Sequence, residues 1–131
     1  MATEARPAQP TTRVLIVEDE LMIRILFEQM LRKLGYTIAA EAARVAEAIE
    51  AVRSVDFDLA ILDINLDGQL ALPVADALAA RGMPFVFVTG YGRGGVPESY
   101  RDRPTLKKPF LLDELRRILE AAVGRPQASF P

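Results

Sequence analysis

The chain has 131 residues, of which 50% are hydrophobic and 26% charged, with a formal net charge of −2 at pH 7. This length and composition predict one folded domain and exclude a chain that is disordered throughout. The sequence contains no cysteine and no histidine, which excludes disulfides, thiolate or imidazole metal ligands and a catalytic histidine. A bound metal must therefore use oxygen ligands, which favours a hard cation such as Mg²⁺.

Composition also indicates the cellular location of the protein and which partners it does not bind. The slightly acidic balance gives no basic surface for nucleic acid. No apolar run reaches the roughly 18 residues that span a bilayer, and the N-terminus lacks the pattern of a signal peptide. We therefore expect a cytoplasmic protein that binds neither nucleic acid nor membrane. Proline, small and polar residues at 1–12 and 124–131 predict flexible tails on either side of one domain, 13–123.

The first half of that domain alternates strand and helix signals. Residues 14–17 form an unbroken apolar run, which is typical of a strand buried on both faces. A first helix follows this strand, and Gly35 is expected to end it. A weaker strand at 36–40 and a helix at 42–53 come next. Apolar positions at three- and four-residue spacing predict the buried stripe of the first helix, at Met22, Ile25, Leu26, Met30 and Leu34.

The second half continues this alternation in the order strand, helix, strand, strand, helix, predicted at 59–62, 74–81, 84–88, 105–107 and 111–123. Gly82 is expected to end the middle helix. A glycine-rich stretch then leaves room for only one or two helical turns between Pro97 and Pro104. Apolar strands alternating with helices predict a doubly wound α/β fold with a five-stranded parallel sheet and an irregular or shortened fourth helix.

Ligands of such sheets bind beyond the carboxyl ends of the strands. Polar residues follow four of the predicted strands at that edge, namely Glu18, Asp19, Asp63, Thr89 and Lys108. Carboxylates held together raise one another's pKa unless a cation lies between them, and an all-oxygen set suits Mg²⁺. The sequence therefore predicts a magnesium site at this edge.

Four sequence blocks carry a resemblance to a known family: residues 14–20 (VLIVEDE), Leu62-Asp63, Val88-Thr89-Gly90 and residues 107–110 (KKPF). Together they resemble the receiver domain of two-component response regulators. The resemblance implies a (βα)5 flavodoxin-like fold and a stand-alone, single-domain regulator. It also implies phosphorylation by a histidine kinase or histidine phosphotransfer protein, and an output through a downstream protein target.

The resemblance assigns the reaction to Asp63, the phosphoacceptor that forms an acyl phosphate. It implies that Asp19, Asp63 and the backbone carbonyl of Asn65 bind Mg²⁺, with Glu18 acting through water. Glu18 is a mild departure, since many relatives carry Asp at that position.

The resemblance also assigns the phosphoryl contacts, which fall to Thr89, the backbone of Gly90 and Lys108. Lys107 is a competing candidate, but Lys108 directly precedes Pro109 and so matches the motif. The implied chemistry is limited to magnesium-dependent self-phosphorylation and slow autodephosphorylation, so the protein is not expected to be a turnover enzyme.

The switch that follows phosphorylation is expected to be unusual. Thr105 stands where ordinary receivers place an aromatic switch residue. Residues 84–92 resemble instead the motif of the atypical FATGUY receivers, with Val88 in place of Ala. Phosphorylation would order the loop after Thr89 and carry Tyr91 with it; the competing interpretation is that Tyr91 only packs on the loop.

Two further patterns in the sequence resemble motifs of other protein classes. Glycines 90, 92 and 95 match a dinucleotide-binding pattern, but that fingerprint needs a helix opening at the third glycine, which Pro97 disfavours. Asp63-Ile64-Asn65 resembles the Asp-x-Asp pair of haloacid dehalogenase-type phosphatases, but Asn65 cannot transfer a proton. A signalling switch, a phosphate sink for a shared kinase and a phosphorylation-independent interaction module remain as alternatives.

Overall fold

The structure, a computed structural model, describes residues 12–90 and 95–123. Its strands are β1 (Arg13–Val17), β2 (Thr37–Ala42), β3 (Leu59–Asp63), β4 (Asn65–Leu66), β5 (Gln69–Leu70), β6 (Phe85–Thr89) and β7 (Thr105–Lys107). The helices are α1 (Leu21–Lys33), α2 (Val45–Ser54), α3 (Leu72–Ala80) and α4 (Leu112–Val123). Five strands form one parallel sheet in the order β2-β1-β3-β6-β7, while β4 and β5 form a separate antiparallel hairpin. The predicted doubly wound fold is confirmed.

Helices cover both faces of the sheet because its central strands are apolar on both sides. Every residue of β3 and of β6 is buried. On one face the sheet packs against α2 and α3, and on the other against α1 and α4. The predicted ends of two helices are confirmed, since Gly35 and Gly82 follow α1 and α3 with φ of 94° and 68°.

The buried stripe predicted for α1 is wrong in part. The side chains of α1 that pack into the core belong to Ile23, Phe27, Met30 and Leu31, and Leu34, directly after the helix, joins them. Met22 is 74% exposed, and Ile25 and Leu26 are each 37% exposed. Eight of the 13 residues of this helix are large and apolar, so two overlapping stripes of the helix surface both fit the helical period. Only packing against the sheet decides which stripe is buried.

The described part of the connection between β6 and β7, residues 95–104, is irregular, as predicted. Within 95–104 the helical structure is of the 3-10 type and includes a turn at Glu98–Tyr100. The Tyr100 ring packs edge-on against Phe85 and Phe87, with centroids 6.0 and 5.8 Å apart. Its hydroxyl donates a hydrogen bond of 2.5 Å to Asp76 on α3. The side chain of Tyr100 therefore covers this part of the sheet in place of a regular helix.

Within residues 12–90 and 95–123, no helix has the length and apolar character needed to cross a membrane. The tails predicted at 1–12 and 124–131 fall almost wholly outside the described residues, and they stay predictions.

Candidate functional site

Parallel pairing brings the ends of four strands to one edge of the sheet. Asp63 is the last residue of β3 and pairs in register with Val88 of β6. Thr89 ends β6 and pairs with Lys107 of β7. The backbone N–H of Lys108 donates to the Thr89 carbonyl over 2.9 Å, which fixes the start of the loop after β7. The predicted polar residues therefore collect at the predicted edge.

Three carboxylates meet there. Glu18, Asp19 and Asp63 each offer an oxygen, and these oxygens all lie within 4.8 Å of one another. Glu18 is wholly buried and Asp63 is 7% exposed. One oxygen of Glu18, Oε2, accepts a hydrogen bond from the backbone N–H of Glu20 over 3.1 Å. The other, Oε1, has no hydrogen-bond partner within the described part of the chain.

Lys108 is the cation that faces these carboxylates. Its Nζ donates to Oδ2 of Asp63 over 3.0 Å and lies 3.2 Å from Oε1 of Glu18, an ion-pair distance without hydrogen-bond geometry. Burial alone would lower the pKa of Lys108. The hydrogen bond and charge of Asp63, together with Glu18, outweigh burial, so the pKa of Lys108 lies above its usual value. Lys107, the competing candidate, is exposed at the end of β7.

Negative charge exceeds positive charge at this edge. Glu20, which was not predicted, brings a further carboxylate 3.8 Å from the Lys108 ammonium. Burial, followed by the charge of Asp63, raises the pKa of Glu18 to about 8. A buried carboxylate oxygen without a hydrogen-bond partner and an all-oxygen donor set fit a hard divalent cation. The residues present therefore suit Mg²⁺.

The hairpin after Asp63 is tied to the same carboxylates through its backbone. The N–H of Asp67 donates to Oδ2 of Asp19 over 2.9 Å, and the N–H of Asn65 donates to Oδ1 of Asp63 over 3.1 Å. Asp67 adopts a left-handed conformation with φ of 53°, and Gly68 follows with φ of 86°. The Asn65 side chain closes this turn by accepting the N–H of Gly68 over 2.9 Å.

The remaining predicted residues lie at the margin of the site or away from it. Gly90 follows Thr89 and is exposed. Thr105 pairs with Phe87 at the far end of β7, and its hydroxyl donates to the Arg103 carbonyl. Tyr91 lies outside the described residues, so its predicted role stays a prediction. The helix that a dinucleotide-binding loop would need at residue 95 does not occur in the described residues 95–104, where Glu98–Tyr100 is a 3-10 turn.

Comparison with known proteins identifies the family. The family model of the response regulator receiver domain matches residues 14–120. The chain is 35% identical over 127 residues to the transcriptional regulatory protein PdtaR of Mycobacterium tuberculosis, covering 94% of this chain and 62% of PdtaR. It therefore spans less than two thirds of the length of this curated relative.

Solved structures agree with this assignment. SdrG from Sphingomonas melonis Fr1 is 45% identical, with a TM-score of 0.77 over 86% of this chain and 96% of SdrG. A BeF3-activated conformation of SdrG aligns at 42% identity over 89% of this chain and all of SdrG, with a TM-score of 0.77. The receiver domain of the PhyR response regulator from Erythrobacter litoralis is 34% identical, with a TM-score of 0.75 over 86% of this chain and 90% of that domain. The chain belongs to the response regulator receiver domain family.

Proposed function

We propose that this receiver accepts a phosphoryl group on Asp63 from a histidine kinase or a histidine phosphotransfer protein and signals by protein–protein contact. The observation that carries the proposal is the pairing of Asp63 with Lys108 over 3.0 Å inside an acidic cluster that suits a divalent cation. An ionised carboxylate needs no base to attack phosphorus, whereas a hydroxyl does. What it needs is neutralisation of the incoming phosphoryl charge.

The residues at the edge divide that task. Asp63 supplies the attacking oxygen, and Lys108 is placed to pair with a phosphoryl oxygen once the phosphate is attached. Thr89 supplies a hydroxyl and Gly90 a backbone N–H at the end of β6. The chemistry is limited to the protein's own phosphorylation and its slow reversal, with no turnover of a separate substrate.

Mg²⁺ would be held by Asp19, Asp63 and the backbone carbonyl of Asn65, with Glu18 acting through water. When bound, the ion supplies positive charge that neutralises the oxygens of the transferring group. Contacts within the chain orient these ligands before an ion binds. The backbone N–H of Asp67 donates to the Asp19 carboxylate, and Glu18 is wholly buried beside Asp63. SdrG, a relative 42% identical to this chain, is described in a BeF3-activated conformation, which supports the proposal that this receiver can also be activated.

The partner would be recognised through apolar side chains beside the site. Leu21 directly follows Glu20 and is 59% exposed, and Leu111 stands three residues after Lys108 and is 70% exposed. Met22, Ile25 and Leu26 extend this surface along α1. An apolar surface that flanks the phosphoacceptor suits a helical partner that carries a histidine near its own apolar face.

The output is proposed to follow the FATGUY type of switch. Thr105 occupies the aromatic switch position, and Tyr100 fills the space over Phe85 and Phe87 on the sheet. The loop after Thr89 would become ordered around the phosphoryl group and carry Tyr91 with it. This change of surface would be read by a downstream protein.

The test is incubation of the full chain with a small phosphodonor such as acetyl phosphate, with and without Mg²⁺, followed by intact-mass measurement. The expected result is a gain of one phosphoryl group, about 80 Da, that depends on Mg²⁺ and is lost in Asp63→Asn. Lys107→Met serves as a control on an exposed neighbouring lysine. Absence of both the adduct and Mg²⁺ binding would refute the proposal and favour a phosphorylation-independent interaction module.

A phosphate sink shares this site and differs only in output. The two are separated by comparing the proteins captured by the phosphorylated and unphosphorylated chain. A switch gains or loses a partner other than the kinase on phosphorylation, whereas a sink does not.

A further inference from the structure

Arg24, in the first turn of α1, contacts the backbone of both acidic residues that follow β1. Its Nη1 donates to the carbonyl oxygen of Glu18 over 2.9 Å and to that of Asp19 over 3.3 Å. Its Nε lies 3.3 Å from Oε1 of Glu41 on β2. The Arg24 side chain is only 19% exposed, so these contacts are made largely away from solvent.

These contacts connect three elements at one point. Glu41 pairs in register with Ile16 of β1, and the next residue, Ala42, accepts the backbone N–H of Glu18 over 3.0 Å. Glu18 is therefore held at its N–H by β2 and at its carbonyl by α1. Arg24 closes this arrangement on the side of the helix.

The choice of acceptor matters for the chemistry of the site. A guanidinium bound to the carboxylates would compete with a cation for the same oxygens. Arg24 binds the carbonyls instead, and leaves the carboxylate oxygens of Glu18 and Asp19 facing Asp63 within 4.8 Å. Carboxylates at this distance repel one another when they are ionised, so a fixed backbone is needed to hold them together before a cation arrives.

We propose that Arg24 is a positioning residue for the cation site: it orients the Glu18–Asp19 backbone so that both carboxylates converge on Asp63. This inference rests on the proposed function, since it assumes that the acidic cluster binds Mg²⁺. A merely structural role, in which Arg24 only attaches α1 to the sheet, would change stability without changing the affinity for Mg²⁺.

The test is titration of the full chain with Mg²⁺ alone by isothermal calorimetry, with urea unfolding measured in parallel. Arg24→Met removes all three contacts and is expected to weaken Mg²⁺ binding by about 10-fold, the lower end of the effect of residues that orient metal ligands. Arg24→Lys keeps the charge but has one nitrogen to serve three acceptors, so its affinity should fall between those of Arg24→Met and the parent. Arg32→Met, on the exposed side of the same helix, should bind as the parent does.

The outcomes separate the two proposals. A folded Arg24→Met that binds Mg²⁺ within two-fold of the parent overturns the positioning role and leaves the proposed function intact. A parent chain that binds no Mg²⁺ overturns both. Should Arg24→Met not fold, Arg24→Lys decides: about three-fold weaker binding supports the role, and parental affinity overturns it.

Discussion

The ammonium of Lys108 lies 3.0 Å from Oδ2 of Asp63 and 3.2 Å from Oε1 of the wholly buried Glu18. One cation therefore compensates two carboxylates that come from different strand ends. The same ammonium is placed where a phosphoryl group on Asp63 would need a counter-charge. Lys108 thus stabilises the acidic cluster and, under the proposed function, would also pair with the phosphoryl group on Asp63.

Replacing Lys108 with methionine separates these two effects. Loss of its charge should strengthen Mg²⁺ binding a few-fold, because a like charge beside the cation is removed. Phosphorylation of Asp63 by acetyl phosphate should slow by about 10-fold or more, since one counter-charge to the phosphoryl group is gone. Calorimetry and intact mass measure the two quantities. Lys107→Met should change neither, and an equal effect of both substitutions would contradict the assignment of Lys108.

The raised pKa of Glu18 predicts how stability depends on pH without Mg²⁺. Its pKa is about 8 in the folded protein, against an ordinary value of 4.5, because of burial and then the charge of Asp63. Between these values the folded state keeps a proton that the unfolded chain has released. The free energy of unfolding should therefore fall as the pH rises towards 8, and level off above it.

The range from pH 6.5 to 8.5 isolates this effect, since Glu41, the other carboxylate with a large shift, has a pKa of about 6. Urea unfolding in EDTA should show a decrease of at most about 2 kcal/mol over this range. Glu18→Gln should remove most of the decrease. A parent and a Glu18→Gln variant with the same pH profile would show that Glu18 does not hold the proton.

Two substitutions at Asp19 distinguish its charge from its contact with the hairpin. Asn at this position can still accept the N–H of Asp67, but it removes a charge from the repelling cluster. Asp19→Asn should therefore raise the free energy of unfolding without Mg²⁺ by about 1 kcal/mol and abolish the further gain on adding Mg²⁺. Asp19→Ala also loses the hydrogen bond, so it should be less stable than Asp19→Asn by about 1 kcal/mol. Thermal unfolding with and without Mg²⁺ measures both, and equal stability of the two variants would contradict a role for the contact.

Much of the site could be predicted because its residues follow predicted strands. Asp63 and Thr89 each follow an unbroken apolar run, and Lys108 follows the short strand at 105–107. Parallel pairing carries the carboxyl ends of such strands to one edge. The contact of Asp67 with Asp19 could not be predicted in this way. It is made by a backbone N–H in a left-handed turn, and no pattern of side chains specifies where that N–H points.

The limits of the helical pattern have a different cause. The apolar period showed that residues 22–34 are helical but could not select the buried face, because Met22 and Phe27 fit the period equally well. Phe27 is buried since it stacks on Phe110, with ring centroids 5.2 Å apart, and that contact joins residues distant in sequence. Arg24 was missed for the same reason, as its acceptors are backbone carbonyls brought near by the turn after β1.

Tyr100 should contribute to stability mainly through its ring. Tyr100→Phe removes the hydrogen bond to the exposed Asp76 and is expected to cost about 1 kcal/mol. Tyr100→Ala also removes the packing on Phe85 and Phe87, so a cost of about 3 kcal/mol is expected. Urea unfolding of both variants tests this order. If Tyr100→Phe lowered the free energy of unfolding almost as much as Tyr100→Ala, the hydrogen bond and not the ring would be the main source of stability.

The exposed apolar face of α1 is expected to affect phosphoryl transfer from a partner protein but not phosphorylation by a small phosphodonor. Met22 is 74% exposed, so a charge at this position is tolerated by the fold but opposes burial against an apolar partner. Met22→Glu should slow transfer from phosphorylated histidine kinases of the source organism by 10-fold or more, while phosphorylation by acetyl phosphate stays at the parental rate. Val123→Glu, on the exposed end of α4, is the matched control and should change neither rate. Equal slowing by Met22→Glu and Val123→Glu would place the docking surface elsewhere, whereas slowing with acetyl phosphate would show that the substitution disturbs the site.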